Sequence, residues 1–267
     1  MKVVLFCGGF GTRIRDESEN VPKPMVTVGP RPILWHVMRY YAHYGHTDFI
    51  LCLGYRGDAI KRYFLDYDET VSNDFVMVGG GRQIDLFKSD IAEWRITFVD
   101  TGMGTNIGQR LRAVADHLEG EETFLANYAD GVSDLPLPTM LDRFQRSGAV
   151  ASFVAVRPTS SFHVVEHDAE GLVTSIGHVG QSDMRINGGF FAMRREMLDY
   201  IRPGEEMVEE PFQRLIAERK LLAYPYDGFW ACMDTYKERQ ALEDRYARGE
   251  VPWMVWRKLN GTHRDVA

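Results

Sequence analysis

The sequence is poor in cysteine. Its three, Cys7, Cys52 and Cys232, are odd in number, far apart and include no CxxC pair. That argues against a disulfide framework or a cysteine zinc site and makes a reducing cytoplasm the expected compartment. Long apolar runs are missing too. No uncharged stretch approaches the roughly 18–20 residues that span a bilayer, so an integral helical membrane protein is not expected. The opening apolar run, Val3 to Phe6, is too short for a signal-peptide core, and glycines and an arginine follow it. Nor is there surplus positive charge: 31 basic side chains face 38 acidic ones, for a net charge of −7. A general nucleic-acid binder needs a basic stripe to displace counterions, which this balance does not supply. Internal repeats, low-complexity tracts and Pro/Gly/Ser linkers are absent as well.

What is present is an ordinary globular composition, 45% hydrophobic and 26% charged over 267 residues. Short apolar runs alternate with helical patterns through the first half. Val3 to Phe6, Phe49 to Leu53, Ile96 to Val99 and Thr123 to Tyr128 read as strands. Between them lie a helix with Pro32 near its first position and Gly45 just past its end, and a second helix from Asp58 to Leu65. A third helix has an inner face of Ile107, Leu111, Val114 and Leu118. Such alternation implies parallel βαβ units with the working crevice at the carboxyl ends of the strands. From about Ala151 the rhythm changes. Ser152 to Val156, His163 to Glu166 and Leu172 to Ile176 read as a short antiparallel elaboration, and helices return at Pro211 to Arg219 and Thr235 to Tyr246. The expected architecture is one α/β domain with a mixed, mostly parallel sheet flanked by helices and a small β elaboration in its second half.

Three features carry chemistry. Gly8-Gly9-Phe10-Gly11-Thr12-Arg13 follows the first strand directly. Glycines there let the main chain approach a ligand and present N–H groups to an anion, and Arg13 adds a permanently charged fork. The segment is neither a P-loop nor GxGxxG, and a plain tight turn is the alternative. Val21-Pro22-Lys23-Pro24-Met25 holds a lysine between two prolines that fix φ, a pre-positioned charge suited to developing phosphate charge. The third feature is a pair of aspartates. Asp130 closes the strand ending at Tyr128, and Asp234 precedes Thr235-Tyr236-Lys237-Glu238, which spells a capping box. Each alone reads as turn or cap chemistry. Together they match the one or two carboxylates that hold Mg²⁺ beside substrate phosphates. Asn187, ahead of Gly188-Gly189, and Glu210, ahead of Pro211, are weaker candidates for a polyol contact. Cys7 reads as a buried thiol, His43 and His46 as surface or satisfied histidines, and Tyr40, Tyr41, Tyr44, Trp253 and Trp256 as packing or subunit contacts.

Taken together, the loop Gly8 to Arg13 and Pro22-Lys23-Pro24 resemble the signature of sugar-1-phosphate nucleotidylyltransferases. The resemblance runs on through Pro32-Ile33-Leu34-Trp35-His36, Gly54-Tyr55-Arg56-Gly57, Val99-Asp100-Thr101-Gly102, Tyr128-Ala129-Asp130-Gly131, Ile186-Asn187-Gly188-Gly189 and Met233-Asp234-Thr235. It implies a Rossmann-like fold in a single domain over 1–267, with a nucleotide-binding half (1–150) and an acceptor-binding half (151–267). It also implies a cytoplasmic homo-oligomer. By matching position, Gly8, Gly9, Gly11, Thr12, Arg13, Thr105, Arg110 and Ala129 contact the nucleotide, and Lys23, Asn187 and Glu210 face the acceptor. Arg13 and Lys23 act in catalysis, and Asp130 and Asp234 hold Mg²⁺. The implied reaction moves a cytidylyl group from CTP to a sugar 1-phosphate, with α-D-glucose 1-phosphate expected, giving a CDP-sugar and pyrophosphate.

The chain departs from this pattern on the acceptor side. Where the family carries Glu-Lys-Pro, it reads Ser175-Ile176-Gly177-His178-Val179-Gly180, and Gln109 stands where a second glycine is usual. His178 and Arg185 are the candidate replacement charges. A different phosphate or phosphonate acceptor, and a nucleotide-binding regulatory protein without turnover, are the competing readings. A nicotinamide-dependent dehydrogenase fits poorly because the glycine spacing is wrong.

Overall fold

A computed structural model describes residues 1–9, 21–159 and 162–260. Eight strands form one sheet: β1 (Val3–Phe6), β2 (Asp48–Leu53), β3 (Arg95–Asp100), β4 (Thr123–Tyr128), β5 (Ala151–Val156), β6 (Ile186–Asn187), β7 (Phe191–Arg194) and β8 (Leu221–Tyr226). Strand β1 lies between β2 and β4 and is parallel to both, with Val3 opposite Phe49 on one side and Leu125 on the other. Strand β3 extends the parallel run beyond β2. On the far side β7 pairs antiparallel with β4; β6 and β7 both pair antiparallel with β5, and β8 runs parallel to β5. The order β3-β2-β1-β4 places a change of winding direction at β1/β4, where open α/β sheets bind ligands.

Strand β1 is buried on both faces, and its alternate side chains feed two cores. Val3 and Leu5 pack with helix α1 (Ile33–His43) and helix α4 (Leu137–Ser147) on one face of the sheet. Val4 and Phe6 pack with helix α3 (Ile107–Ala113) and helix α6 (Glu210–Ala217) on the other. Helix α2 (Gly57–Leu65) follows β2, the four-residue helix α5 (Met197–Tyr200) follows β7, and helix α7 (Tyr236–Ala247) closes the fold.

Helix α1 begins with Pro32 as its N-cap and stops where Gly45 turns to φ +83°, as its sequence predicts. The third helix is shorter than its periodicity suggests. It ends at Ala113, and Ala115–Leu118 continues as a 3₁₀ turn that keeps Leu118 on the core. Glu210 is inside α6, one residue earlier than expected. Helix α4, strand β8 and the hairpin Phe75–Val78/Gln83–Leu86 are additions that periodicity did not single out. The elaboration expected around 163–176 is a separate two-stranded ribbon, His163–His167 with Val173–His178.

Candidate active site

The lysine between the two prolines is placed by a 3₁₀ turn over Lys23–Met25. The Met25 N–H donates to the Pro22 carbonyl (2.8 Å) and the Val26 N–H to the Lys23 carbonyl (3.1 Å). With the backbone pinned, the Lys23 ammonium reaches the carboxylates of Asp130 and Asp234 together. Those two residues meet through a short ribbon. Gly131–Ser133 pairs antiparallel with Trp230–Cys232, and one step beyond it the Met233 N–H donates to the Asp130 carbonyl (3.0 Å). Asp130 thus extends β4 while Asp234 arrives across the ribbon. Asp234 is fixed in turn by the capping box. The Glu238 carboxylate accepts from the N–H groups of Asp234 and Thr235, and Thr235 Oγ1 accepts from the Glu238 N–H.

Electrostatics follow from this arrangement. Burial alone would depress the Lys23 pKa, but Asp130 and Asp234 outweigh it and raise the value, so the ammonium is retained. Burial pushes the Asp130 carboxyl up, the charge of Asp234 adds to that, and Lys23 opposes it. Two carboxylates around one ammonium leave a surplus negative charge. An all-oxygen donor pair with such a surplus suits a hard divalent cation. Among the described residues no group of three or more His, Cys, Asp or Glu could hold a metal, so phosphates and water would have to complete the shell.

Beside this cluster lies the start of the glycine loop. Gly8 is buried and Gly9 exposed at the end of β1, and Ala129 is buried at the end of β4. Gly11, Thr12 and Arg13 lie outside the described residues. Thr105, in the loop between β3 and α3, donates through Oγ1 to the Thr101 carbonyl (2.6 Å). Arg110 points inward. It is 2% exposed and donates to Gly8 O, Leu53 O and Thr101 Oγ1.

Among the residues expected to face the acceptor, Asn187 donates through Nδ2 to the Tyr128 hydroxyl (3.3 Å), while its Oδ1 accepts from the Gly189 N–H (2.9 Å). That ties the Asn-Gly-Gly bend to the strand carrying Asp130. Glu210 opens α6 as an exposed side chain. Of the candidate replacement charges, Arg185 pairs with Asp227 (2.9 Å) and donates to Ala155 O and Tyr226 O. His178 Nδ1 accepts the Gly180 N–H (3.1 Å). Two contributors escaped the sequence reading. Asn127 accepts the N–H groups of Tyr128 and Phe190 through Oδ1, which pins the bend where Phe190 takes φ +51°. The signal was an asparagine inside an apolar strand. Glu206 accepts from the N–H of Ile107 (3.1 Å) at the start of α3, and nothing local marks it.

The remaining sequence candidates are structural. The Cys7 thiol is buried and pushed well above its ordinary value by that burial, which leaves no thiolate to attack. Tyr40 and Tyr41 are buried against Phe190, and Trp253 is buried against Phe229.

A doubly wound sheet with a glycine loop, a clamped lysine and paired carboxylates at its switch point defines an α/β phosphate-transfer enzyme. The sequence matches the nucleotidyl transferase family over residues 2–235, and the chain belongs to that family. It is 36% identical over 258 residues to the probable glucose-1-phosphate cytidylyltransferase of Bacillus subtilis, covering 96% of this chain and 100% of the relative. Identity and coverage are the same for the glucose-1-phosphate cytidylyltransferase of Salmonella typhi. Among solved structures, UDP-glucose pyrophosphorylase complexed with UDP-glucose superposes with a TM-score of 0.67 at 15% identity, covering 93% of this chain and 98% of that one.

Proposed function

We propose that this enzyme transfers a cytidylyl group from CTP to α-D-glucose 1-phosphate, giving CDP-glucose and pyrophosphate. The observation that carries the chemistry is the Lys23 ammonium held by Asp130 and Asp234 at the β1/β4 crevice. The nucleotide and acceptor are carried by full-length similarity to relatives named for that reaction.

An acceptor phosphate oxygen attacks the α-phosphorus of CTP. A new P–O bond forms as the bond to the bridging oxygen breaks, and pyrophosphate leaves with that electron pair. An ionised phosphate is already nucleophilic at neutral pH, so no general base is required. The protein's tasks are alignment and charge neutralisation. The N–H groups of Gly8, Gly9, Gly11 and Thr12 and the Arg13 guanidinium embrace the triphosphate. Lys23 leaves its carboxylates for the reacting phosphates, and Asn187 and Glu210 take sugar hydroxyls. Asp130 and Asp234 would hold Mg²⁺, which supplies further neutralisation of phosphate charge when bound. Among the described residues no helix is long and apolar enough to cross a membrane. A cytoplasmic homo-oligomer completes the reading. The oligomer is supported by apolar side chains such as Met77, Val78 and Ile84, which one chain leaves exposed on the 75–86 hairpin.

The test is pyrophosphate release with Mg²⁺ and each nucleoside triphosphate against a panel of acceptors. Turnover with CTP and glucose 1-phosphate is expected. Release with another phosphate or phosphonate, and none with glucose 1-phosphate, would replace the acceptor. Nucleotide binding without release for any acceptor would mark a regulatory protein.

A further inference from the structure

An amide side chain inside a buried strand costs free energy unless its polar atoms are used. Asn127 is 1% exposed on β4, opposite Leu5 of β1. Its Nδ2 neighbours the Tyr41 hydroxyl without completing a hydrogen bond, and both polar atoms are buried. For the core alone an apolar residue would serve better. Its Oδ1, by contrast, accepts the N–H groups of Tyr128 and Phe190, each at 2.9 Å. That oxygen extends the sheet past its last rung. The β4–β7 ladder ends where Ala126 faces Phe191. From there β4 runs on to Asp130, while the other chain runs back through Phe190, Gly189 and Gly188 to Asn187, which pairs with Ala155 of β5. The bend between them is strained: Phe190 takes φ +51° and Gly189 φ +76°. It is also shaped around the carboxamide, since a Cβ on Gly189 would stand 2.4 Å from Asn127 Oδ1. At its far end Asn187 Nδ2 reaches the Tyr128 hydroxyl (3.3 Å). Both side-chain ties from β4 to the bend thus leave from neighbouring residues, and Asp130 follows two residues later.

We infer that Asn127 is a positioning residue for the acceptor, fixing the bend that carries Asn187 relative to the strand end that carries Asp130. This rests on the proposed contact of Asn187 with a sugar hydroxyl. The carboxamide does not touch the ligand. It supplies the rung that the diverging main chains cannot make, and so sets where Asn187 stands against the reacting phosphates. The requirement is for an oxygen acceptor, because both of its donors are main-chain N–H groups. Leucine has similar bulk but no acceptor, which leaves the buried Phe190 N–H unpaired and frees the bend to leave its left-handed conformation. Aspartate keeps the oxygen.

The test compares wild type with Asn127→Leu, Asn127→Asp and Tyr128→Phe. The last removes only the hydroxyl that Asn187 holds, so it reports on the same bend even where the leucine variant folds poorly. For each, thermal melting, steady-state kinetics for both substrates, and a calorimetric titration with glucose 1-phosphate are measured. Galactose 1-phosphate, the C4 epimer, serves as a competing acceptor. Asn127→Leu should raise the KM for glucose 1-phosphate by about tenfold or more and narrow its preference over the epimer, while the KM for CTP moves less than about twofold. Tyr128→Phe should act in the same direction by less, and Asn127→Asp should keep the acceptor KM close to wild type. Equal rises in both KM values would overturn the inference. A lowered melting temperature with an unchanged acceptor KM would reduce Asn127 to a structural prop and also overturn it. So would an unchanged acceptor KM in Tyr128→Phe if the leucine variant does not fold. Wild type that binds glucose 1-phosphate without turnover, with that affinity lost in Asn127→Leu, would defeat the proposed reaction and leave the inference standing.

Discussion

The two halves of the sheet solve the same geometric problem with opposite means. In the first half the ends of β1, β2 and β3 meet over Arg110, which is 2% exposed and bonded to neutral main-chain and hydroxyl oxygens. In the second half the end of β5, the start of β6 and the end of β8 meet at Arg157, Arg185 and Asp227. There two guanidiniums share one carboxylate that is 64% exposed, at 3.1 and 2.9 Å. On the proposed reading the buried charge lies on the nucleotide side, where every triphosphate presents the same phosphates, and the exposed charge, weakened by solvent and salt, leaves the acceptor side adjustable.

The comparison breaks most directly at the half-buried cluster of Lys23, Asp130 and Asp234. Lys23→Ala should lower kcat by about a thousandfold with the fold retained; pyrophosphate release beside a thermal melt checks both, and near-normal turnover would remove Lys23 from the chemistry. Next comes Asp130→Asn, which should cost roughly several hundredfold at limiting Mg²⁺ and recover partly as Mg²⁺ is raised. A Mg²⁺ titration with the same midpoint as wild type would refute the metal role.

A third effect concerns stability. Burial lowers the pKa of His36 from 6.5 to about 4, with its ring bonded to Val28 O (2.9 Å). Below pH 6.5 the unfolded chain takes a proton that the folded chain refuses, so stability falls until about pH 4 and no further from this group. The loss approaches about 3 kcal/mol. Denaturant melts at pH 7 and pH 4.5 should show a shallower pH dependence for His36→Phe than for wild type, even though the variant is weaker at both. Equal slopes would contradict the buried neutral imidazole. The smallest effect belongs to the exposed cluster. Asp227→Ala should shift the melting temperature only slightly, and less still at high salt. A larger, salt-insensitive loss would show that the second half is also held by desolvated charge.

The sequence made the frame legible wherever burial imposes a pattern. Val3–Phe6 and Thr123–Tyr128 are apolar runs because neighbours cover both their faces, and α1 shows its period and its Gly45 stop. Pattern failed where burial is weak. All eight residues of the strand pairs Phe75–Val78 and Gln83–Leu86 are exposed, which leaves no alternation to read. Strand β8 contains Pro225, which argues against a central strand and is tolerated here at the sheet's edge. The candidate site residues are legible singly, through glycine spacing, Pro-Lys-Pro and Asp-Gly. The contact of Lys23 with both carboxylates is not, because the ribbon register that creates it joins distant segments. The inward turn of Arg110 could have been read from sequence. Arg110 sits three residues after Ile107 on the apolar face of α3, and a charge on that face must turn inward to a partner.

The ribbon that delivers Asp234 also sets a timetable. Lys23 and Asp234 are 211 positions apart, and Asp234 joins Lys23 and Asp130 only when Trp230–Cys232 has emerged to pair with Gly131–Ser133. During synthesis, a chain that has delivered its first four strands can hold the glycine loop and one carboxylate but not the second. On the proposed reading the half-built domain is therefore chemically silent, and competence arrives all at once near the end of translation.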